Sequence, residues 1–126
     1  MNEYKKSIIL NFVEMENKKS PMELLKEFAP EFAKHQMDEK ALLFENEKYQ
    51  AIPKKYKLLA GIAVSAALNT DTCTRMWVKQ AKDAGVTVPE ITEAIMVARY
   101  LKQAMVNDTV STTLRLLYKK RIKGRA

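Results

Sequence analysis

The sequence has very few of the residues from which common catalytic and metal sites are built. There is one cysteine, Cys73, and one histidine, His35, in 126 residues. A single cysteine excludes an intramolecular disulfide framework and fits a cytoplasmic location. His35 lies between Lys34 and Gln36 in a surface-like helical pattern, which favours a solvated side chain over a ligand. We therefore predict no metal site and no bound cofactor.

Residues that interrupt helices are also scarce. Three glycines and four prolines accompany 47% hydrophobic and 29% charged residues, a composition typical of a structured helical protein. The length suits one domain spanning residues 1–126. No strand-like alternation or internal repeat is present, so the predicted fold class is all-α, with about six helices.

Positive charge is concentrated at the end of the chain. The formal net charge is +7, and six cations but no acidic residue occur from Thr109 onward. The rest of the chain is nearly neutral. A basic tail, residues 119–126, is more often solubilising than a polyanion-binding site, so a nucleic-acid partner is not expected.

Helix signals in the first half vary in strength. Residues 1–19 fit either an extended segment or a short helix, and we leave both open. Ser20, Pro21 and Glu23 predict a capped helix start, and Pro30 should kink or divide that helix. The predicted apolar stripe of this helix is Leu24, Leu25, Phe28 and Phe32. Residues 38–52 predict a short helix or ordered loop that brings Leu42, Leu43 and Phe44 to the core.

The second half contains sharper boundaries. The segment "YKLLAGIAVSAAL" is apolar on all sides, which predicts a central helix buried on all sides. It is too short to span a bilayer, so no membrane partner is expected. A helix capped by Asn69 or Thr70 should follow and end at Gly85. Thr87 with Glu90 predicts the next helix start, and Asn107 with Asp108 its end before a last helix.

Cys73 is the one candidate nucleophile, near the start of its helix. Free amides and the helix dipole favour a thiolate there, Arg75, Lys79 and Lys82 would add to that effect, and Asp71 opposes it. The alternative is that Cys73 is a buried hydrophobic residue in line with Trp77, Ala81 and Ala84.

The run "LLAGIAVSAALNTDTCTRMWVKQAKDAGVTVPEITEAIMVARY" resembles the core of the carboxymuconolactone decarboxylase and AhpD-like alkylhydroperoxidase superfamily. The similarity covers residues 53–105. It implies an oligomeric AhpD-like helical bundle, with trimers or hexamers favoured. In the peroxidase branch this region carries Cys-x-x-Cys-x-x-x-His and a glutamate on the preceding helix.

The resemblance places Cys73 at the attacking cysteine, Thr70 at the resolving cysteine, Trp77 at the histidine and Leu58 at the glutamate. Three of the four catalytic positions are thus changed. Thr70 cannot form the internal disulfide, and neither Trp77 nor Leu58 can relay protons. The two-cysteine cycle is not expected to operate. The decarboxylase branch of the family lacks the cysteine pair but has a histidine at the position of Trp77. The resemblance therefore does not predict the decarboxylase activity either.

Three functions remain open. The first is an antioxidant, peroxidase-like activity through Cys73 alone, with an external thiol as reductant. The second is a non-catalytic oligomeric module with an apolar ligand pocket near Leu58, Trp77, Met76 or Met105. The third is a decarboxylase-like enzyme with displaced catalytic residues. A histidine or glutamate brought close to Cys73 from another subunit would restore an enzyme, and His35 and Glu93 are the candidates.

Overall fold

The computed structural model describes residues 1–16 and 19–125, and all regular structure in these ranges is helical. Positions 17, 18 and 126, which belong to the N-terminal segment and the basic tail, lie outside the described residues. The α-helices are α1 (Glu3–Glu16), α2 (Pro21–Phe28), α3 (Pro30–Glu45), α4 (Lys54–Ala67), α5 (Asp71–Asp83), α6 (Val88–Thr109) and α7 (Ser111–Arg125). The all-α prediction is confirmed, with seven α-helices in this part of the chain and a short 3-10 turn at Glu47–Tyr49.

The chain forms two compact units, Met1–Tyr49 and Gln50–Ala126. The assignment of residues 1–126 to one domain stays a prediction. The first unit contains α1, α2 and α3, and its helix contacts are between α2 and α3 and between α3 and the 3-10 turn. The second unit contains α4 to α7, and α4 contacts both α5 and α6.

The start of α2 is fixed by reciprocal hydrogen bonds between Ser20 and Glu23. The Glu23 amide donates to Ser20 Oγ at 3.2 Å, and the Ser20 amide donates to Glu23 Oε2 at 2.6 Å. Hydrogen bonds from Ser20 to the carboxylate, the backbone donor first, lower the pKa of Glu23. Pro30 then begins α3, so the predicted proline effect is a division of the helix after Phe28.

The core of the first unit is small, and only part of its predicted core is buried. Phe44 is buried, but Leu42 and Leu43 are 47% and 49% exposed, so the prediction was wrong for these two leucines. The reason is that α3 continues to Glu45, and three consecutive helical residues point about 100° apart. Phe28 and Phe32, from the predicted stripe, are likewise exposed.

The core of the second unit lies on one face of α4. Leu58, Ile62 and Ser65 are buried on this helix, whereas Tyr56 and Val64 are 56% and 57% exposed. The prediction that this helix is buried on all sides was therefore wrong for the single chain. Helices α5 and α6 cover only part of its circumference. No helix among the described residues has the length and apolar character to cross a membrane.

Two left-handed residues end α4 and α5. Asn69 has φ 59° after α4, and the Thr70 amide donates to the Ser65 carbonyl at 3.0 Å. Gly85 has φ 83° after α5, as predicted, and the Val86 amide donates to the Ala81 carbonyl at 2.9 Å. These two hydrogen bonds provide donors for carbonyl groups that a helix end would otherwise leave unpaired. They fix the directions in which α5 leaves α4 and α6 leaves α5.

The start of α6 combines the predicted Thr87–Glu90 capping box with an ion pair from α4. Glu90 accepts from the Thr87 amide at 2.9 Å and forms an ion pair with Lys55. The Lys55 ammonium group and then the Thr87 donors lower the pKa of Glu90 to about 2. Helix α6 continues through Asn107 and Asp108 to Thr109, slightly past the predicted break.

Candidate thiol site at the start of helix α5

Cys73 is the third residue of α5, and its side chain is exposed. The neighbouring face of the helix is the packed one, since Ala81 is fully buried and Thr74, Trp77 and Val78 are partly buried. Cys73 lies one helical turn before Trp77, at the edge of the packed face. The alternative of a buried, purely hydrophobic cysteine does not describe this chain.

Thr70 occupies the N-cap position of α5, but its hydroxyl points back toward α4. Thr70 Oγ1 donates to the Ser65 carbonyl at 3.2 Å and forms no side-chain cap of α5. Thr74 Oγ1 lies 2.8 Å from the Thr70 carbonyl and 3.2 Å from Ser65 Oγ, and Ser65 Oγ donates to the Gly61 carbonyl at 2.8 Å. These three hydroxyls therefore join the end of α4 to the first turn of α5.

Trp77 packs its indole against α4 at Gly61. An ideal Cβ placed on Gly61 would lie 2.9 Å from Trp77 Cδ2 and 3.2 Å from Cε2 and Cε3. Such distances are shorter than normal van der Waals contact, so a side chain at position 61 would displace the ring. The absence of a side chain at Gly61 allows the aromatic ring to approach the helix this closely.

Leu58 is 1% exposed and is one of the two largest fully buried side chains, with Ile62. A carboxylate at this position would lose its hydration, and a charged group in such surroundings needs a partner. Leu58 thus belongs to the core of the second unit. Met76 and Met105, named above as possible pocket walls, are instead 44% and 58% exposed.

Most of the charged residues expected to act on Cys73 are already paired. Asp71 and Arg75 form an ion pair at 3.0 Å, and Lys79 and Asp83 form another at 3.2 Å. Within residues 1–16 and 19–125, the Cys73 thiol takes part in no hydrogen bond or ion pair. The candidate proton-relay residues are exposed on other helices: His35 on α3 of the first unit, and Glu93 on α6.

Two surface depressions in the second unit lie away from Trp77. One, of about 590 Å³, lies between the end of α4 and the middle of α6 and is lined in part by Ala66, Ile95 and Arg99. The other, of about 390 Å³, runs along α5 and includes Thr74 and Val78. Trp77 lines neither, so neither is the expected pocket at the motif. The described residues include no cluster of His, Cys, Asp and Glu that would hold a metal.

Comparison with known proteins places the chain in a family. Residues 30–107 match the model of the carboxymuconolactone decarboxylase family, and the chain belongs to that family. The match begins at Pro30 and so adds α3 to the region recognised from the sequence, residues 53–105. No curated protein matches the chain.

A solved structure supports the fold. The chain is similar to a protein from Methanobacterium thermoautotrophicum whose crystal structure was determined by a structural genomics consortium. The two share 28% sequence identity over 70% of this chain and 98% of the other, with a TM-score of 0.62. The resemblance stated from the sequence is thereby confirmed at the level of family and fold.

Two residues that shape this site were missed from the sequence. Gly61 lies directly against the Trp77 ring, and Ser65 forms hydrogen bonds with both Thr70 and Thr74. The sequence contained a signal for each of these two residues. An isolated glycine inside an apolar helix, such as Gly61, often marks a close approach of another group. Ser65, four residues later, lies on the same face of α4.

Proposed function

We propose that this member of the carboxymuconolactone decarboxylase family is a thiol-dependent redox protein that reduces peroxides through Cys73 alone. The observation that carries the proposal is the exposure of Cys73 in the first turn of α5. A peroxide and a reducing thiol must both reach this sulfur from solvent, and exposure permits both. The Thr70 hydroxyl, turned toward Ser65, leaves the first-turn amides without a side-chain acceptor from the N-cap residue.

The chemistry needs one protein thiol and two external thiols. The Cys73 sulfur, as thiolate, attacks one peroxide oxygen and the O–O bond breaks. The leaving alkoxide, or the hydroxide from hydrogen peroxide, takes up a proton from water to give an alcohol or water. The sulfur is oxidised to sulfenic acid and the peroxide is reduced. A first external thiol displaces water and forms a mixed disulfide. A second attacks that disulfide, restores Cys73 and leaves as the external disulfide.

This cycle differs from the two-cysteine cycle implied by the resemblance. Thr70 holds a hydroxyl at the position assigned to the resolving cysteine, and that hydroxyl serves the α4–α5 connection. Trp77 packs on Gly61 and Leu58 is in the core, so both have packing roles where the peroxidase branch has a histidine and a glutamate. Water and the external thiol would exchange protons with the exposed sulfur.

A second candidate is a non-catalytic module that assembles from copies of itself. It is favoured by apolar side chains left exposed on α4 and α6 and at the end of α4: Val64 at 57%, Leu68 at 69%, Val97 at 55% and Tyr100 at 70%. Exposed apolar surface of this kind is typical of protein interfaces. A homo-oligomer, with a trimer or hexamer favoured, is compatible with either candidate function, and light scattering of the purified chain measures it directly.

Peroxide consumption in the presence of excess glutathione distinguishes the two candidates. The chain should consume hydrogen peroxide or a small alkyl hydroperoxide faster than glutathione does alone, and Cys73→Ser should abolish the added rate. The control Thr72→Ser alters the neighbouring exposed residue and should keep full activity. Equal rates for the chain and Cys73→Ser would reject the redox proposal and leave the non-catalytic module.

A further inference from the structure

Helix α7 differs from the rest of the chain in its charge. It carries all six cations that follow Thr109: Arg115, Lys119, Lys120, Arg121, Lys123 and Arg125. None of the six forms an ion pair within residues 1–16 and 19–125, and the helix contains no acidic residue. Elsewhere, cations such as Lys34, Lys55 and Arg75 are paired with carboxylates. This helix therefore presents uncompensated positive charge.

The same helix also leaves its apolar side chains uncovered. Leu114, Leu117, Tyr118 and Ile122 are 53%, 57%, 64% and 51% exposed. They follow one another at the i, i+3, i+4 and i+8 positions, which places them along one side of a helix. Among the described helices α7 contacts α6 alone, and the exposure of these side chains shows that the second unit does not cover this side.

The cations lie on both sides of the helix. Lys119, Lys120 and Lys123 lie away from the apolar stripe, whereas Arg115 borders it beside Ile122. Arg121 and Arg125 fall within the apolar side near its C-terminal end, where their long aliphatic stems can lie along an apolar phase while the guanidinium groups stay in a polar one. A depression of about 410 Å³ on this helix is lined by Leu116 and Leu117 together with Lys119, Lys120 and Lys123.

We propose that α7 binds the surface of a membrane containing anionic phospholipids. Anionic headgroups complement the unpaired cations, and the headgroup–acyl boundary accepts the leucine, tyrosine and isoleucine side chains. A nucleic acid would use the cations through its phosphates but has no comparable use for the apolar stripe. The occupant that accounts for both sets of exposed residues is the lipid interface. Such surface binding is distinct from spanning, and it is independent of the function proposed for Cys73.

The test is flotation of the full chain with vesicles. The chain should float with vesicles of phosphatidylcholine and phosphatidylglycerol, should not float with phosphatidylcholine alone, and should be released by added salt. The triple variant Lys119→Gln, Lys120→Gln, Lys123→Gln should lower the partition coefficient at least about tenfold. The matched control Lys26→Gln, Lys34→Gln, Lys102→Gln removes the same charge elsewhere and should float as the unchanged chain does.

The double variant Leu117→Ser, Ile122→Ser separates lipid from nucleic acid because it keeps every charge. On anionic vesicles it should also lose binding, since it removes apolar side chains that enter the interface. Equal flotation of this variant and the unchanged chain would overturn the proposal, as would flotation with neutral vesicles. Binding to single-stranded RNA that ignores Leu117 and Ile122, with no flotation, would likewise overturn it and identify a nucleic-acid surface.

Discussion

The indole of Trp77 lies against Gly61 so closely that a Cβ at position 61 would be 2.9 Å from Trp77 Cδ2. Gly61→Ala should therefore destabilise the second unit by about 1–3 kcal/mol, because the ring or the helix must move to admit the methyl group. Urea unfolding followed by tryptophan fluorescence measures this directly, since Trp77 is the one tryptophan.

Gly124→Ala is the matched control for that substitution. A Cβ at Gly124 would meet no atom within 4 Å, and alanine is the better helix former. The control should unfold at the same urea concentration as the unchanged chain or slightly above it. Similar losses in both variants would mean that the Trp77 contact is not responsible.

Gly85 and Asn69 both have a left-handed backbone conformation, but substitutions at the two positions should differ in their effect on stability. Gly85→Ala should cost roughly 1–2 kcal/mol because a Cβ is unfavourable at φ 83°. Asn69→Gly, at φ 59°, removes a Cβ instead and should change stability by no more than about 0.5 kcal/mol. Thermal unfolding of the two variants side by side checks the difference, and a larger loss in Asn69→Gly would contradict it.

The Glu90 pKa of about 2 predicts how stability depends on acid. The pKa in the folded chain is below the ordinary 4.5, so Glu90 contributes stability above pH 4.5, and the contribution is lost as pH falls from 4.5 toward 2. Glu90→Gln should therefore be less stable than the unchanged chain at about pH 6, with the difference shrinking as pH approaches 2. Urea titrations at several pH values measure the difference.

The control for this titration is Glu93→Gln, which removes one carboxylate from the same helix at an exposed position without an ion pair among the described residues. A constant difference in stability between Glu90→Gln and the unchanged chain across the whole acid range would show that the Glu90 carboxylate does not contribute in this way. Lys55 has the opposite dependence, because its pKa is raised and its contribution is lost as pH rises through that value.

Thr70→Cys tests the alignment of the changed motif. Positions 70 and 73 are the N-cap and the third residue of α5, a spacing typical of redox-active cysteine pairs at helix starts. Mild oxidation should convert the two thiols to an intramolecular disulfide, seen as loss of both free thiols without the appearance of disulfide-linked chains in denaturing electrophoresis. Arg75→Cys is the control: its side chain points about 200° away from Cys73, so it should yield disulfide-linked chains instead.

The sequence predicted those features that depend on local chemistry. The capping boxes at Ser20–Glu23 and Thr87–Glu90 and the left-handed Gly85 depend only on neighbouring residues, and the structure contains all three. Burial depends on packing between helices, and the prediction failed there. Leu42 and Leu43 are exposed because only one side of α3 is covered, and the "YKLLAGIAVSAAL" helix is covered on one face.

The candidate site, like the fold, could be predicted from the sequence only in part. The family could be recognised because the run from Leu58 to Tyr100 resembles the core of the family, and the match over residues 30–107 confirms it. The environment of Cys73 could not be predicted, because it depends on side-chain positions. These determine the Asp71–Arg75 ion pair, the hydrogen bond at the Ser65 hydroxyl and the contact of the Trp77 ring with Gly61. A catalytic role for Cys73, and the assignment of Thr70, Trp77 and Leu58 to changed positions of the motif around it, stay predictions.

The most direct test of the central claim is the rate at which Cys73 forms a sulfenic acid. The chain is treated with hydrogen peroxide in the presence of dimedone, and the adduct on the Cys73 peptide is followed by mass spectrometry, in native buffer and in urea. If Cys73 reduces peroxides, each chain should carry one adduct, formed at least about tenfold faster in the folded state, a difference of ~1.4 kcal/mol in the barrier. Equal rates in the folded and unfolded states would contradict it, because Cys73 would then be an ordinary exposed thiol.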